Sequence, residues 1–150
     1  MKPDEDTLWG IRAFVYRQIG ETTRPPRLEE TAARFGLTYE QAATAYEELH
    51  ERHAFFLKPG THAVLMANPF SAVETPFIVH ANNKTYFANC AWDSLGIPAA
   101  LHSDAEIEAQ CAQSSDAIRL QVTDSQVSGS DARVHFLIPF RDWYDDLAFT

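Results

Sequence analysis

Apolar residues recur at helical spacing in three stretches of the first third of the chain. The inward-facing positions are Leu8, Ile11, Val15 and Ile19 in the first stretch, Leu28, Thr31, Ala32 and Phe35 in the second, and Ala42, Ala45 and Leu49 in the third. Gly20 and Gly36 end the first two patterns, and Thr38 with Gln41 forms a capping box that opens the third. The pattern therefore predicts three amphipathic helices.

A Pro59-Gly60 turn lies between two apolar runs in "FFLKPGTHAVLMAN" and predicts a hairpin after the third helix. Three helices followed by a hairpin resemble a winged helix, so we predict a winged-helix-like helical domain over residues 1–68. Such modules often bind DNA through the third helix. Here that helix is acidic, with Glu40, Glu47, Glu48 and Glu51 against Arg52. Repulsion of phosphate favours a packing role over DNA binding.

Alternating apolar and polar positions dominate residues 69–150, which we predict to form a second, sheet-containing domain. The stretch "FIVHANNKTYFANC" predicts strands at Phe77–His80 and Thr85–Ala88. Between them, Asn82 and Asn83 suit a turn with positive φ. "AEIEAQCA" alternates like an edge strand, "AIRLQVT" alternates as well, and "ARVHFLIP" predicts a mostly apolar strand closed by Pro139.

A short helix is predicted around Ala91–Leu95, ended by Gly96 and Pro98. The final "FRDWYDDLAFT" predicts an amphipathic turn or helix that leads toward another strand. Runs of helices followed by runs of strands indicate an α+β fold with mainly antiparallel pairing.

Composition narrows the class of protein. The chain has 150 residues, of which 45% are hydrophobic, enough for one or two small cores. The net charge of −9 is uneven: residues 1–70 carry 8 basic and 10 acidic side chains, and residues 71–150 carry 4 and 11. This excess of acid argues against nucleic acid as a partner.

The sequence pattern also bears on membrane insertion and export. No apolar run approaches the roughly 18 residues that a membrane span needs. The opening "MKPDEDTLWG" is acidic where a signal peptide would be basic and then apolar. We therefore expect no membrane partner and a cytoplasmic location, where the two cysteines, Cys90 and Cys111, remain reduced thiols.

Cys90 and Asp93 are the candidate chemical pair. If Cys90 stands where a strand turns into a helix, the amides of the first helical turn favour its thiolate, and Asp93 returns to the same face. A thiolate binds soft metals, and a carboxyl group in apolar surroundings (Tyr86, Phe87, Trp92, Leu95 and Ile97) can exchange a proton beside it. The alternative is structural, with Cys90 as a small buried apolar residue and Asp93 as a helix cap.

The order and spacing of "FANCAWDSLGIPAAL", "EAQCA", "IRLQVT" and "VHFLIP" resemble the core of the bacterial organomercurial lyases, or alkylmercury lyases. The resemblance spans residues 7–150 and implies protonolysis of carbon–mercury bonds without an organic cofactor. It implies that Cys90 captures mercury and that Asp93, at the same metal site, moves the proton. Cys111 matches a family cysteine regarded as structural, which implies a core position. The implied partners are a small organometallic substrate and cellular thiols, which accept the Hg(II) product.

Members of that family carry a second active-site cysteine on a strand that follows the "LP" segment. The position nearest to it here is Thr150 or the residue that would follow. Either the chain is cut short of a longer protein, or it is a relative with one catalytic thiol. Loss of a strand would expose an unpaired sheet edge, through which a truncated form is expected to form a homodimer or to aggregate.

The residues also allow two functions other than lyase activity. One alternative is a soft-metal or thiol-binding module without turnover, and another is a winged-helix regulator that senses metal through Cys90.

Two further groups of residues are weaker site candidates. His50 and His53 in "HERH" lie one helical turn apart but lack further zinc ligands at a convincing spacing, so a solvated helix end is favoured. The run from Trp143 to Asp146 fits an acidic surface turn better than a flap over Cys90.

Overall fold

The structure is a computed structural model that describes residues 2–145. The chain divides into two compact units, Met1–Val73 and Glu74–Thr150. The described residues contain four α-helices and eight strands, and the strand pairs within each unit are antiparallel. The predicted α+β class is confirmed, whereas the domain ranges 1–68 and 69–150 stay predictions.

The first unit contains three helices and three short strands. They are α1 (Glu5–Thr22), α2 (Leu28–Phe35), α3 (Tyr39–Glu51), β1 (Phe56–Leu57), β2 (Val64–Ala67) and β3 (Phe70–Ser71). The capping box of Thr38 and Gln41 and the β1–β2 hairpin are both present as predicted. Gly20 does not end α1. The helix closes three residues later, where Thr23 adopts φ 65° and its N–H bonds the carbonyl of Ile19.

The predicted inward-facing residues of the three helices are buried, except Phe35, which is half-buried. One polar pair lies among them. The hydroxyl groups of Thr31 and Tyr46 share a hydrogen bond of 2.8 Å, and both residues are fully buried. Burial raises the pKa of Tyr46 to about 12, a rise that the bond to Thr31 opposes. The phenol therefore stays neutral and serves as a polar anchor between α2 and α3.

We expect Tyr46→Phe to lower the free energy of unfolding by about 1–3 kcal/mol, because it leaves the buried Thr31 hydroxyl without this partner. Urea unfolding measures the change. The double variant Thr31→Val, Tyr46→Phe removes both polar groups and should recover most of the loss. Wild-type stability in the single variant would contradict the assignment of the pair.

As far as residue 145, the second unit contains five antiparallel strands and one α-helix. Its elements are β4 (Ile78–Ala81), β5 (Lys84–Ala88), α4 (Ala91–Leu101), β6 (Ala105–Gln110), β7 (Ala117–Thr123) and β8 (Gln126–Ser128). The strand order is β5-β4-β6-β7-β8. The β4–β5 hairpin is confirmed, since Asn82 and Asn83 have φ values of 52° and 58° between the paired strands. Helix α4 packs on β4, β5 and β6.

Two predictions about α4 and β6 are wrong. Helix α4 runs through Gly96 and Pro98 to Leu101, with Ile97 and Pro98 buried. Packing of this apolar face on the sheet offsets the backbone cost of the two residues. The strand in "AEIEAQCA" lies between β4 and β7 and is not an edge. It alternates because Ala105 and Ile107 are buried while Glu106 and Glu108 are exposed.

The strand predicted in "ARVHFLIP" is also wrong, because residues 131–139 form no strand. Leu137 remains 75% exposed, so the apolar pattern has no buried face to fix it. A short 3₁₀ helix, Phe140–Asp142, follows and agrees with the predicted turn or helix. The further strand expected at the end lies outside the described residues. Across the residues that the structure describes, none of the helices combines the length and the apolar character needed to cross a membrane.

Candidate functional site

Cys90 stands at the junction between β5 and α4. It is the N-cap residue of α4, with extended backbone angles of φ −152° and ψ 178°. Its carbonyl accepts the N–H of Ser94 at 3.1 Å, the first hydrogen bond of the helix. The extended strand thus passes directly into the helix at this residue, as the sequence predicts.

Asp93 lies in the first turn of α4 and is half-buried. Its Oδ2 accepts a hydrogen bond from Nδ2 of Asn89 at 3.2 Å. Burial raises the pKa of Asp93, and hydrogen bonds from Asn89 and from the Cys90 thiol oppose the rise. The carboxyl group therefore takes up a proton at a higher pH than an ordinary aspartate does, in agreement with the prediction.

The Cys90 thiol is half-buried, and burial is the main reason that its pKa is raised. The backbone amides of Asp93 and Trp92 lower the pKa, while the Asp93 carboxylate raises it. The helix amides thus act in the expected direction, but the net shift in the free protein is toward the thiol. Cys90 is a thiol at neutral pH because burial and a neighbouring negative charge outweigh the helix amides.

The apolar surroundings of the pair are only partly closed. Tyr86 and Ile97 are buried, and Phe87 and Leu95 are half-buried. Trp92, two residues after Cys90, is 59% exposed. The first turn of α4 is thus not fully enclosed, and the predicted dry setting holds for only part of it.

Cys111 follows β6 and begins a tight turn. Its N–H bonds the carbonyl of Asp116 at 2.9 Å, and its carbonyl accepts the N–H of Ser115 at 2.8 Å. The residue is only half-buried, and hydrogen bonds from Ser114 lower the pKa of its thiol. The core position implied for Cys111 is therefore wrong, because the turn keeps it at the surface. Both Cys90 and Cys111 are free, as expected.

We expect iodoacetamide to modify Cys111 before Cys90 at pH 7.5, with a rate advantage on the order of tenfold. The reason is that the pKa of Cys111 is lowered and that of Cys90 is raised, so Cys111 holds the larger thiolate fraction at that pH. Peptide mapping by mass spectrometry gives both rates. Raising the pH should narrow the difference as Cys90 ionises. Earlier modification of Cys90 would contradict the assigned environments.

The histidine pair does not form a second centre among residues 2–145. Within residues 2–145, no three metal-ligating side chains are grouped, and Nδ1 of His50 instead accepts the N–H of Leu57 at 3.3 Å. Trp143 donates its indole N–H to the carbonyl of Ile138 at 2.9 Å. Asp146 and Thr150 lie outside the described residues, so the flap and the second-cysteine position stay predictions.

Asn89 is a residue of this site for which the sequence pattern predicted no role. Its amide reaches the carboxylate of Asp93 across the start of α4. The available signal was its position four residues before Asp93, a spacing at which side chains meet along a helix. Since Asn89 precedes the helix, only the structure shows that it makes this contact.

Comparison with known proteins gives a family and a fold. The family model described as alkylmercury lyase (MerB) matches residues 70–150. A solved structure, the mercury-bound form of MerB2, has a TM-score of 0.67 and 18% sequence identity. The match covers 87% of this chain and 62% of the MerB2 chain. This chain therefore spans less than two thirds of the length of MerB2. A search of the curated proteins found no significant match.

Proposed function

The chain belongs to the alkylmercury lyase family, and on that premise we propose that it cleaves the carbon–mercury bond of organomercurial compounds by protonolysis. The observation that carries the proposal is the pairing of the Cys90 thiol with the Asp93 carboxyl group in the first turn of α4. Both groups are half-buried and interact with each other. A sulfur ligand for mercury therefore neighbours a carboxyl group that can carry the proton.

The first step is capture of the substrate, written R–Hg⁺. A bond forms between Sγ of Cys90 and mercury as the S–H bond breaks. The released proton passes to the carboxylate of Asp93. Transfer suits this pair because burial raises the pKa of Asp93 and thus strengthens it as a base, while the bond to soft mercury favours loss of the thiol proton.

The second step is protonolysis. Asp93 returns the proton to the carbon atom, the carbon–mercury bond breaks, and its electron pair forms the new C–H bond. The hydrocarbon leaves, and Hg(II) stays on the Cys90 thiolate. A cellular thiol then supplies its sulfur to mercury and removes the product, and Cys90 regains a proton. The reaction needs no organic cofactor, and the cytoplasm supplies the reduced thiols that it uses. A homodimer stays a prediction.

The test is benzene release from phenylmercury in excess thiol, followed by gas chromatography. We expect catalytic release, with more than one benzene formed per chain. A stable one-to-one adduct without benzene, seen by native mass spectrometry, would overturn the proposal that this chain turns over its substrate.

That result would support a second candidate, a capture module for soft metals. The observation that favours it is that the chain has only two cysteines, of which Cys111 lies in a separate surface turn. A winged-helix regulator that senses metal is the weaker hypothesis. Arg52, at the end of α3, already forms hydrogen bonds and salt bridges with Glu5 and Glu48, so its charge is not available to DNA phosphates. Failure to bind any DNA at low and high salt would remove it.

A further inference from the structure

Asn89 is the half-buried residue that immediately precedes Cys90. Its side chain extends over the first turn of α4 and meets Asp93, with Nδ2 at 3.2 Å from Oδ2. An ionised carboxylate only accepts hydrogen bonds, so the amide presents its nitrogen, the donor, to this oxygen. Asn89 is therefore the donor of this hydrogen bond, and Oδ2 of Asp93 is the acceptor.

This donor makes the two oxygens of Asp93 unequal. The amide N–H needs a lone pair on Oδ2, and a protonated carboxyl group accepts best through its carbonyl-like oxygen. A proton that reaches Asp93 is therefore directed to Oδ1. Because one oxygen is bound, rotation of the Asp93 side chain about χ1, away from Cys90, also requires loss of a hydrogen bond in a half-buried site, where such a loss is costly.

We infer that Asn89 is a positioning residue for the proposed protonolysis, holding the Asp93 side chain in one χ1 rotamer, with Oδ2 bound and Oδ1 left to carry the proton. The inference rests on the proposed function. In that reaction, Oδ1 receives the proton that leaves Sγ of Cys90 and passes it to the carbon atom, whose bond to mercury supplies the electron pair. Asn89 touches neither mercury nor the carbon and acts through Asp93.

Orientation is tested first, without any substrate. Three-bond NMR couplings report the χ1 rotamer of Asp93 in the wild type, in Asn89→Leu and in Asn89→Gln. Leucine has the same branched arrangement of heavy atoms as asparagine but no donor, whereas glutamine keeps the amide on a longer side chain. We expect one rotamer in the wild type and rotamer averaging in Asn89→Leu, with Asn89→Gln nearer to the wild type. A single, unchanged rotamer in Asn89→Leu would overturn the inference.

Kinetics with phenylmercury provide the second readout. In Asn89→Leu we expect kcat for benzene release to fall by about tenfold or more, the size of a lost hydrogen bond to a charged group. KM and one-to-one capture of Hg(II) should stay unchanged because Cys90 is intact, and Asn89→Gln should restore part of kcat. Unchanged kcat, or a loss confined to KM or to Hg(II) capture, would overturn the role.

The two hypotheses fail in different ways. Absence of benzene from the wild type overturns the proposed lyase activity, while the NMR couplings still decide whether Asn89 holds Asp93. Benzene release by the wild type together with full activity in Asn89→Leu overturns the positioning role and leaves the lyase activity standing.

Discussion

Cys90→Ser is expected to abolish benzene release from phenylmercury, with a loss of at least about 10³-fold in turnover. A serine hydroxyl is a hard and weakly acidic ligand, so it does not replace the thiolate that captures mercury. The same variant should fail to retain Hg(II) at this site. Gas chromatography measures the hydrocarbon, and native mass spectrometry measures the retained metal.

Cys111→Ser is the matched control for this variant. Cys111 lies in the surface turn between β6 and β7, where its backbone hydrogen bonds do not depend on sulfur. We expect Cys111→Ser to keep wild-type turnover. Full turnover in Cys90→Ser would show that Cys90 is not the capturing group, and equal losses in both variants would indicate that mercury is shared between the two thiols.

Asp93→Asn is expected to separate capture from cleavage. Asparagine keeps the size of the side chain but cannot carry the proton, so benzene release should fall by about 10²–10⁴-fold, the usual contribution of a general acid–base group. Capture should persist, because Cys90 remains. Loss of the Asp93 charge also removes one of the influences that raise the pKa of the Cys90 thiol.

Two measurements check this separation. Native mass spectrometry of Asp93→Asn with phenylmercury should show the intact phenylmercury adduct, since the carbon–mercury bond survives. Alkylation of Cys90 at pH 8, on a Cys111→Ser background, should be faster in Asp93→Asn because the thiolate fraction rises. Unchanged benzene release would rule out Asp93 as the proton carrier, and absence of the adduct would mean that Asp93 is itself required for capture.

The sequence predicted the first unit well because its signals are local. The apolar spacing in α1, the capping box of Thr38 and Gln41, and the Pro59-Gly60 turn each involve residues within a few positions of one another. The same is true of the Asn82-Asn83 turn, where side chains that tolerate positive φ are enough to set the hairpin. The strand-to-helix placement of Cys90, and hence the meeting of Cys90 with Asp93, follow from equally short-range patterns.

Tertiary structure decided what depends on neighbours distant in sequence. Helix α4 continues through Pro98 because its apolar face packs on three strands, and β6 is central because β4 and β7 pair with it on either side. The protonation state of Cys90 was decided in the same way. Helix amides near the thiol can be read from the sequence, but the burial that outweighs them comes from the folded unit, since desolvation depends on every group packed around a side chain.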